Sequence, residues 1–323
     1  MVAVNPAKAL FKDREEFRSF HTGEGQSFLV IAILYAIALA ALCVVWAAIR
    51  MPILVAIPSC LAAFIVIGWA QYSLGNGLHE AVHHNLRNKK SDQLAALLTA
   101  YPVGLTMTYR QVHLGHHKYL GTAHDPEFPI YTFFPRTKGA LILRFFWFAS
   151  GVPATLQFLA QQRTAFSTGG KRPLYDLICF FGVQLGLASL FWWAYGNPLF
   201  YIAFWVLPIA TVGKLLSTTR LLCEHGSPTR DWVVRTIDGS RLQTWVMGAF
   251  DFNYHGEHHL WPSVPYSQLQ RLHHAHRAYC EQNPEYQPLD GRFEFFSGGY
   301  LALLFRWMCI LPWRKHAQTQ PSG

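Results

Sequence analysis

The sequence has little charge and no pattern of paired cysteines. Only 14% of its 323 residues are Asp, Glu, Lys or Arg, well below the roughly 25% that is typical of soluble proteins. The six cysteines form no CxxC pair and lie mostly in or beside apolar runs. These features exclude a disulfide framework and a cysteine-ligated metal site. A Gly-rich dinucleotide fingerprint and an internal repeat are also lacking, which excludes a fused nicotinamide or flavin domain and a solenoid.

Long apolar runs are what the sequence has instead. The apolar fraction is 51%, and four runs are long enough to cross about 30 Å of hydrocarbon. They occupy residues 27–49, 53–78, 174–195 and 199–222. Only Arg50-Met51-Pro52 separates the first two, and Gly196-Asn197-Pro198 separates the last two. The pattern predicts an all-α integral membrane protein built from two helical hairpins.

Positive charge is distributed on one side of the predicted hairpins. Of the 27 Lys and Arg residues, only Arg50 falls in a connector between hairpin arms. By the positive-inside rule, both termini and the long loops are expected to be cytoplasmic. We therefore predict one domain, 1–323, with a cytoplasmic cap at 79–173 and 223–312, in a bacterial inner membrane rather than the endoplasmic reticulum. The net charge of +9 fits this bias and anionic lipids, and no nucleic-acid partner is expected.

Further apolar stretches are shorter or interrupted. We predict that residues 93–109 and 139–161 form interfacial or re-entrant helices, the first because it is short and contains Pro102. The alternative is that one of them is a fifth span. That would place the histidine clusters described below on opposite faces of the membrane. The segment 296–312 is predicted to be a helix lying on the membrane surface.

Nine of the 16 histidines lie in three short clusters, which we call the histidine boxes. The boxes are HEAVHH (His79, His83, His84), HLGHH (His113, His116, His117) and HGEHH (His255, His258, His259). Positions i, i+3 and i+4 share one face of a helix, so each box directs several imidazoles to one point. His225 ends the fourth span much as His79 ends the second, so the second and fourth helices are expected to project beyond the bilayer. The topology predicts that all ten side chains meet at one cytoplasmic site.

HEAVH alone matches the H-E-x-x-H pattern of zinc proteases. Such a site needs two histidines, a third ligand and an open position for water, and it leaves two boxes without a function. Asp238 could supply the third ligand, but it is expected in a polar loop, so this alternative is disfavoured. Bis-histidine haem ligation is excluded because the four spans contain no histidine.

The number of imidazoles indicates two metal ions. Nine or ten neutral ligands are too many for one ion and suit two ions with four or five each. Imidazole binds iron, copper and zinc, so ligand type alone does not name the metal. Glu80 and Glu257, each beside box histidines, are predicted to accept hydrogen bonds from ligand N–H groups and to fix the ring orientations.

The order HEAVHH, HLGHH, HGEHH resembles the membrane-bound fatty acid desaturase superfamily, which includes desaturases, hydroxylases, carotenoid ketolases and alkane hydroxylases. The resemblance runs from about Trp69 to His274 and is closest in NYHGEHHLWPSVPYSQLQRLH. It implies a non-haem di-iron centre that uses O₂ and two external electrons to attack an unactivated C–H bond. By motif position, the ligands would be the following: His79, His83 or alternatively His84, His113, His116, His117, His225, His255, His258 and His259. Some members have an asparagine where this chain has Leu221, which puts one contact to a metal-bound water in doubt.

The expected activity is therefore insertion of a double bond into a fatty acyl chain. Hydroxylation or ketolation of a lipid, carotenoid or alkane at the same centre is the alternative. A metal-binding membrane protein without catalysis is favoured by no residue. The substrate would be an apolar lipid entering from the bilayer. Because no electron-carrying domain is visible in the sequence, a separate ferredoxin or cytochrome b5 is expected to supply the electrons.

Several polar residues near the boxes have two interpretations. Asp125, with His124, either supports the site or belongs to a solvated turn. A supporting role for His273 follows from the family pattern, whereas His274 and His276 are expected on a basic surface helix. Lys214 and Arg220 are expected to extend to the membrane interface. The other interpretation of Arg220, which we disfavour, is that it binds an acidic head group.

Overall fold

The computed structural model describes residues 10–11, 14–21, 26–86, 88–167 and 172–313. Helices dominate these residues, as predicted. In chain order they are α1 (Arg14–Arg18), α2 (Gln26–Ala48), α3 (Ile53–Val82), α4 (Lys89–Thr99), α5 (Tyr109–Tyr119), α6 (Phe128–Tyr131), α7 (Lys138–Ala149), α8 (Val152–Ser167), α9 (Arg172–Tyr195), α10 (Leu199–His225), α11 (Arg241–Val246), α12 (His255–Leu260), α13 (Tyr266–Gln282) and α14 (Gly299–Ile310).

Four of these helices, α2, α3, α9 and α10, are long and apolar enough to cross a membrane. The prediction of four candidate spans is confirmed, and the second and fourth helices continue beyond their apolar runs, as expected. α3 continues through His79 to Val82, and α10 continues to His225. The 30 residues of α3 extend about 45 Å at 1.5 Å per residue, which exceeds about 30 Å of hydrocarbon. The last turns of α3, which carry polar side chains, therefore lie beyond the length that a helix needs to cross the hydrocarbon.

α3 and α10 lie unusually close together. A Cβ atom on Gly68 would come within 2.6 Å of the carbonyl oxygen of Pro208, so only glycine permits this approach. α10 also contains π-helical turns at Ile202–Val206 and Ile209–Gly213, on either side of Pro208. Because proline has no backbone N–H, it interrupts the regular hydrogen-bond ladder at this point. The close contact brings the ends of both helices to the same site.

The two interrupted apolar stretches have different structures. α4 has 11 residues, is followed by a 3₁₀ turn at Tyr101–Val103 and then by α5, and is too short to span. α7 and α8 meet at a bend of 67°, at Gly151, whose φ is +79°. Length and composition allow this bent pair to be a broken fifth span or a re-entrant loop.

A small parallel sheet departs from the all-α prediction. β1 (Val234–Asp238) pairs with β2 (Phe293–Ser297), with Val234 opposite Phe293. The stretch that was expected to be a polar loop around Asp238 is thus mostly strand. Its Arg235 is 3% exposed and pairs with Glu294 at 2.7 Å. Sequence pattern could not reveal this strand, since its buried polar residues are satisfied only by tertiary partners.

The C-terminal helix α14 has one buried and one exposed face. Tyr300, Leu303 and Trp307 are 2% exposed and pack in a cluster with Leu222 and Ile237. On the other face, Leu301 and Phe305 are 67% and 70% exposed. A helix is thus present within the predicted segment 296–312, but it begins at Gly299, since residues 296 and 297 belong to β2. That it lies on the membrane surface stays a prediction.

Candidate metal centre

Nine histidines form two adjacent groups. One nitrogen of each member lies within 4.8 Å of those of all other members of its group. The first histidine group comprises His79, His83, His113, His117 and His258, and the second comprises His116, His225, His255 and His259. The groups adjoin each other, since the rings of His117 and His259 stack with centroids 4.3 Å apart. Groups of five and four histidines match the division expected for two ions.

The helices divide the boxes between the groups. α5 contributes His113 and His117, four residues apart, to the first group, and His116 to the second. α12 contributes His258 to the first group and its two other box histidines to the second. A helix face about one turn wide therefore supplies ligands to both groups. Only the first box serves a single group.

Within both groups the Nε2 atoms point towards one another. In the first group, Nε2 of His113 lies 2.7 Å from that of His83 and 3.1 Å from that of His117. In the second group, Nε2 of His225 lies 2.7 Å from that of His255 and 3.2 Å from that of His116. Nε2 is the atom that each ring would offer to a metal ion.

Protein groups fix the tautomer of two histidines in the second group. Nδ1–H of His116 donates to the carboxylate of Asp125 at 3.0 Å, and Nδ1–H of His225 donates to the carbonyl of Val233 at 3.1 Å. When these two rings are neutral, both Nε2 atoms are acceptors, and they face each other at 3.2 Å. A cation between the two Nε2 atoms would satisfy both acceptors. Neutral imidazole with a free Nε2 is also the form in which histidine binds metals.

Buried ring nitrogens without a hydrogen bond are a second sign that the histidines fit metal ions. Both ring nitrogens of His79 make no hydrogen bond to any described residue, and the same is true of Nδ1 of His258 and, in the second group, of Nδ1 of His255. Buried polar atoms normally have partners. The donor set therefore fits metal ions in both groups, and the nitrogen-only ligands suit iron, copper or zinc.

The electrostatics favour neutral imidazoles in most of the site. Burial lowers the pKa of His83 to about 4, and it lowers the pKa values of His113, His117, His255, His258 and His259 well below the usual value. His116 differs. Burial lowers its pKa, but the carboxylates of Glu127 and Asp125 outweigh that effect and raise it. Neutral imidazole is the form that binds a metal.

His84, the tenth predicted ligand, belongs to neither group. Its side chain is 55% exposed. Its Nδ1–H donates to Asp92 at 2.9 Å, and its Nε2 accepts from the Arg110 guanidinium at 3.0 Å. Both nitrogens are thus occupied by protein groups. His84 also lies beyond the end of α3 at Val82, and its positive φ of 60° is outside the helical range.

The two predicted glutamates do not act alike. Glu80 is fully buried, accepts from the backbone N–H of Tyr266 at 3.0 Å, and lies 3.8 Å from Nδ1 of His79. Glu257 does not take its predicted place beside a ligand. Its carboxylate accepts from Nδ1–H of His273 and His276 at 2.9 and 3.1 Å and from the Thr236 hydroxyl. It points away from the groups because residue i+2 of a helix faces the opposite side from His255.

Asp125 and Glu224 each place a carboxylate beside a grouped histidine. The role of Asp125 was left open by the sequence analysis, and Glu224 was not identified by it. Asp125 is 2% exposed and contacts His116, which resolves its two interpretations, whereas His124 is exposed. Glu224 was missed. Its Oε2 lies 3.5 Å from Nδ1 of His255, and its Oε1 accepts from the Tyr300 hydroxyl at 3.1 Å. Its position directly before His225 was the only available signal.

Glu257 is held at low pKa by buried histidines. Burial raises its pKa, but hydrogen bonds from His273 and His276 outweigh this and lower the pKa to about 2. The prediction that His276 lies on a basic surface was wrong, because it is 0% exposed. This cluster attaches α13 to α12 and β1, and so supports the third box indirectly.

A cavity of about 850 Å³ reaches both histidine groups. His79 and His113 of the first group line it, as do His116 and His255 of the second. From there it extends between α8, α9 and α10 as far as Leu185 and Trp205. Leu221, at the position where some desaturases have asparagine, also lines the cavity.

Arg220 and Lys214 turn into this cavity rather than towards the membrane interface. Arg220 donates to Asn76 Oδ1 at 2.9 Å and pairs with Glu224 at 3.3 Å. Lys214 Nζ donates to Gln157 Oε1. The prediction that both extend to the interface was therefore wrong, since each finds polar partners inside the protein.

The geometry does not support the zinc protease alternative. Histidines from the second and third boxes join His79 and His83, whereas Asp238 lies in β1 and belongs to neither histidine group. What the helices and the site define is a helical protein with four candidate membrane spans and two adjoining histidine groups able to hold metal.

Comparison with known proteins places this architecture in a family. The family model described as fatty acid desaturase matches residues 55–290, and the chain belongs to that family. The resemblance inferred from the histidine boxes is thereby confirmed. Among curated proteins, the chain is 27% identical over 262 residues to the dihydrorhizobitoxine desaturase of Bradyrhizobium elkanii, covering 74% of this chain and 71% of that protein. The family membership implies an oxidoreductase.

Proposed function

We propose that this protein is an O₂-dependent di-iron desaturase that introduces a double bond into an acyl-type chain. The observation that carries the proposal is the cavity that touches both histidine groups and extends between candidate membrane helices. Such a cavity can hold an extended, mostly apolar substrate with one segment beside the metal centre. The word desaturase in the name of the relative favours desaturation over hydroxylation or ketolation.

The proposed ligands are the nine grouped histidines, with His83 chosen over His84. The first histidine group would hold one iron ion and the second the other. Iron would supply the redox chemistry with O₂ that zinc lacks. Asp125 and the Val233 carbonyl keep the Nδ1 protons on His116 and His225, so that Nε2 remains free as the donor atom.

The other residues near the centre orient ligands and exclude water. Glu224 forms an ion pair with the Arg220 guanidinium and lies beside Nδ1 of His255, so a buried ion pair supports the His255 ring. Phe252 packs edge-on against His79, with ring centroids 4.3 Å apart. Apolar contact of this kind excludes water from the first histidine group and keeps the site at low dielectric.

The membrane orientation is part of the proposal. Because only Arg50 among the Lys and Arg residues lies in a connector between paired spans, the histidine site and both termini are placed on the cytoplasmic side, as a cap on two helical hairpins. That side gives a separate ferredoxin or cytochrome b5 access to the site. The positive net charge would attract an acidic donor of this type.

Mass spectrometry of apolar metabolites and lipids tests the activity. Aerated cells that express this chain with an electron donor are compared with cells that express the His255→Ala variant. A new product lighter by two hydrogens, absent from the variant and from anaerobic cells, is expected. A product heavier by one oxygen would instead establish a hydroxylase or ketolase. Purified protein that contains zinc without iron and gives no product would contradict the proposal.

A further inference from the structure

Lys214 is a positive charge within a candidate membrane span, and it lines the cavity. Its Nζ donates to the neutral side chain of Gln157 and forms no ion pair with a carboxylate of the described residues, although Glu127 lines the same cavity and acts on Lys214 through space. Arg220, the other cationic residue of the cavity wall, is neutralised by Glu224 at 3.3 Å. Charged residues inside membrane spans are costly and usually mark a substrate or ion site.

The wall opposite Lys214 presents two amide side chains. Gln157 and Gln161 are four residues apart on α8, so they share one helix face, and both line the cavity. Among the described residues, the side chain of Gln161 makes no hydrogen bond, and that of Gln157 makes one, through its oxygen to Lys214. α8 is held in this orientation by Gln162, which donates to Thr106 Oγ1 at 3.0 Å. The cavity wall thus carries one cation and, within about one turn of α8, two amide side chains.

We propose that Lys214, Gln157 and Gln161 bind a free carboxylate of the substrate. This inference rests on the proposed function, since it takes the cavity as the place where the substrate binds. One negative charge matches the one cation of the cavity wall that forms no ion pair, since Glu127, which also lines the cavity, lies 3.6 Å from Nδ1 of His116 instead. A dianionic phosphate would leave a buried charge without a partner. The substrate is therefore a free organic acid rather than a neutral lipid ester, a carotenoid or an alkane.

The position of Lys214 also places the carboxylate relative to the metal centre. The last part of α10 runs 12 residues from Lys214 to His225, which is about 17 Å at 1.5 Å per residue. Ser217, Thr218 and Leu221 line the cavity between these two ends. The carbons that react are thus remote from the carboxylate, at the far end of an extended chain.

Equilibrium binding to the metal-loaded protein tests the carboxylate site without requiring turnover. Radiolabelled decanoate, 1-decanol and decyl phosphate are titrated against amphipol-solubilised protein, with a protein-free blank. We expect the wild type to prefer decanoate. Lys214→Met should weaken decanoate binding by about tenfold to a hundredfold, as expected for loss of a charged hydrogen bond. It should leave decanol binding unchanged, and Lys214→Arg should restore decanoate binding. Lys90→Met, at an exposed lysine, is the matched control.

Each result decides the question. Equal affinity of the wild type for decanoate and decanol, or stronger binding of decyl phosphate, would overturn the carboxylate assignment even if Lys214→Met failed to fold. So would undiminished decanoate binding by a folded Lys214→Met variant. A failure of the proposed activity would show differently, as Lys214-dependent decanoate binding in a protein that forms no oxidised product in aerated cells.

Discussion

The two histidine groups consist of the same side chain but differ in what supports it. In the second group, Asp125 and the Val233 carbonyl accept the Nδ1 protons of two ligands, and Glu224 lies beside a third. In the first group, Nδ1 of His79 lies 3.8 Å from Glu80, much as Nδ1 of His255 lies 3.5 Å from Glu224, and Nδ1 of His258 has no hydrogen-bond partner among the described residues. The difference is that two rings of the second group have an acceptor hydrogen-bonded to Nδ1. Groups that fix ligand tautomers strengthen metal binding. The comparison indicates a preorganised second site and a less constrained first site.

The histidines of the second group are also more fully buried than those of the first. Three of the four second-group histidines are buried, whereas His83 and His117 of the first group are only half-buried. A chelator would therefore reach the first group more easily. The first group also has five ligands to the second group's four, so the larger ligand count accompanies the weaker support. Which of these two factors dominates can be measured.

Removing one ligand from each group should have the largest effect. His258→Ala should release the ion of the first group and His255→Ala that of the second, because neither group can replace a ligand from outside. Each variant should lose about half of the bound iron and all activity, since removing an essential catalytic group typically costs several orders of magnitude in rate. Iron per chain is measured by plasma mass spectrometry. The exposed His124→Ala variant serves as control, and full activity in either ligand variant would refute the assignment.

The next effect concerns the support of the second group alone. Asp125→Asn keeps an acceptor for His116 but removes the charge, and loss of such a partner typically weakens metal binding by about tenfold to a hundredfold. Competition with a chelator should therefore release the ion of the second group before that of the first, reversing the order in the wild type. Asp231→Asn, at an exposed aspartate, should behave as wild type. An unchanged order of release would show that the carboxylate does not set the difference between the groups.

A smaller effect is expected at Glu257, which supports the fold rather than a ligand. Glutamine offers one acceptor oxygen where His273, His276 and Thr236 donate three hydrogen bonds. An unsatisfied buried donor should lower the free energy of unfolding by about 1–3 kcal/mol. Thermal denaturation measures the loss, with Glu281→Gln as the exposed control. Normal stability combined with loss of iron would instead place Glu257 at the metal centre.

The smallest effect is expected at His84. Asp92 and Arg110 occupy its two nitrogens, so His84→Ala should retain both metal ions and normal activity. His83→Ala, one residue away, should lose the ion of the first group. Iron content of the two purified variants gives the answer. Loss of iron from His84→Ala but not from His83→Ala would show that His84, rather than His83, is the ligand.

The sequence alone determined the helical class, the four candidate spans and the identity of the histidine boxes. Apolar length and repeated HxxHH spacing are local properties, so they can be recognised without knowledge of the fold. The boxes also sufficed to identify the family, because their order and spacing are specific. The histidines at the ends of the second and fourth apolar runs also predicted that α3 and α10 continue beyond those runs, which the structure confirms.

Only the tertiary structure decided how the imidazoles are shared and which acids support them. The division of the α5 and α12 histidines depends on how these helices pack, and Asp125 and Glu224 reach their partners through the fold. The β1–β2 pairing and the inward turn of Lys214 likewise depend on residues far apart in the chain. Burial changes what a polar side chain must do, because it needs a partner once water is removed, and burial is a property of the folded chain.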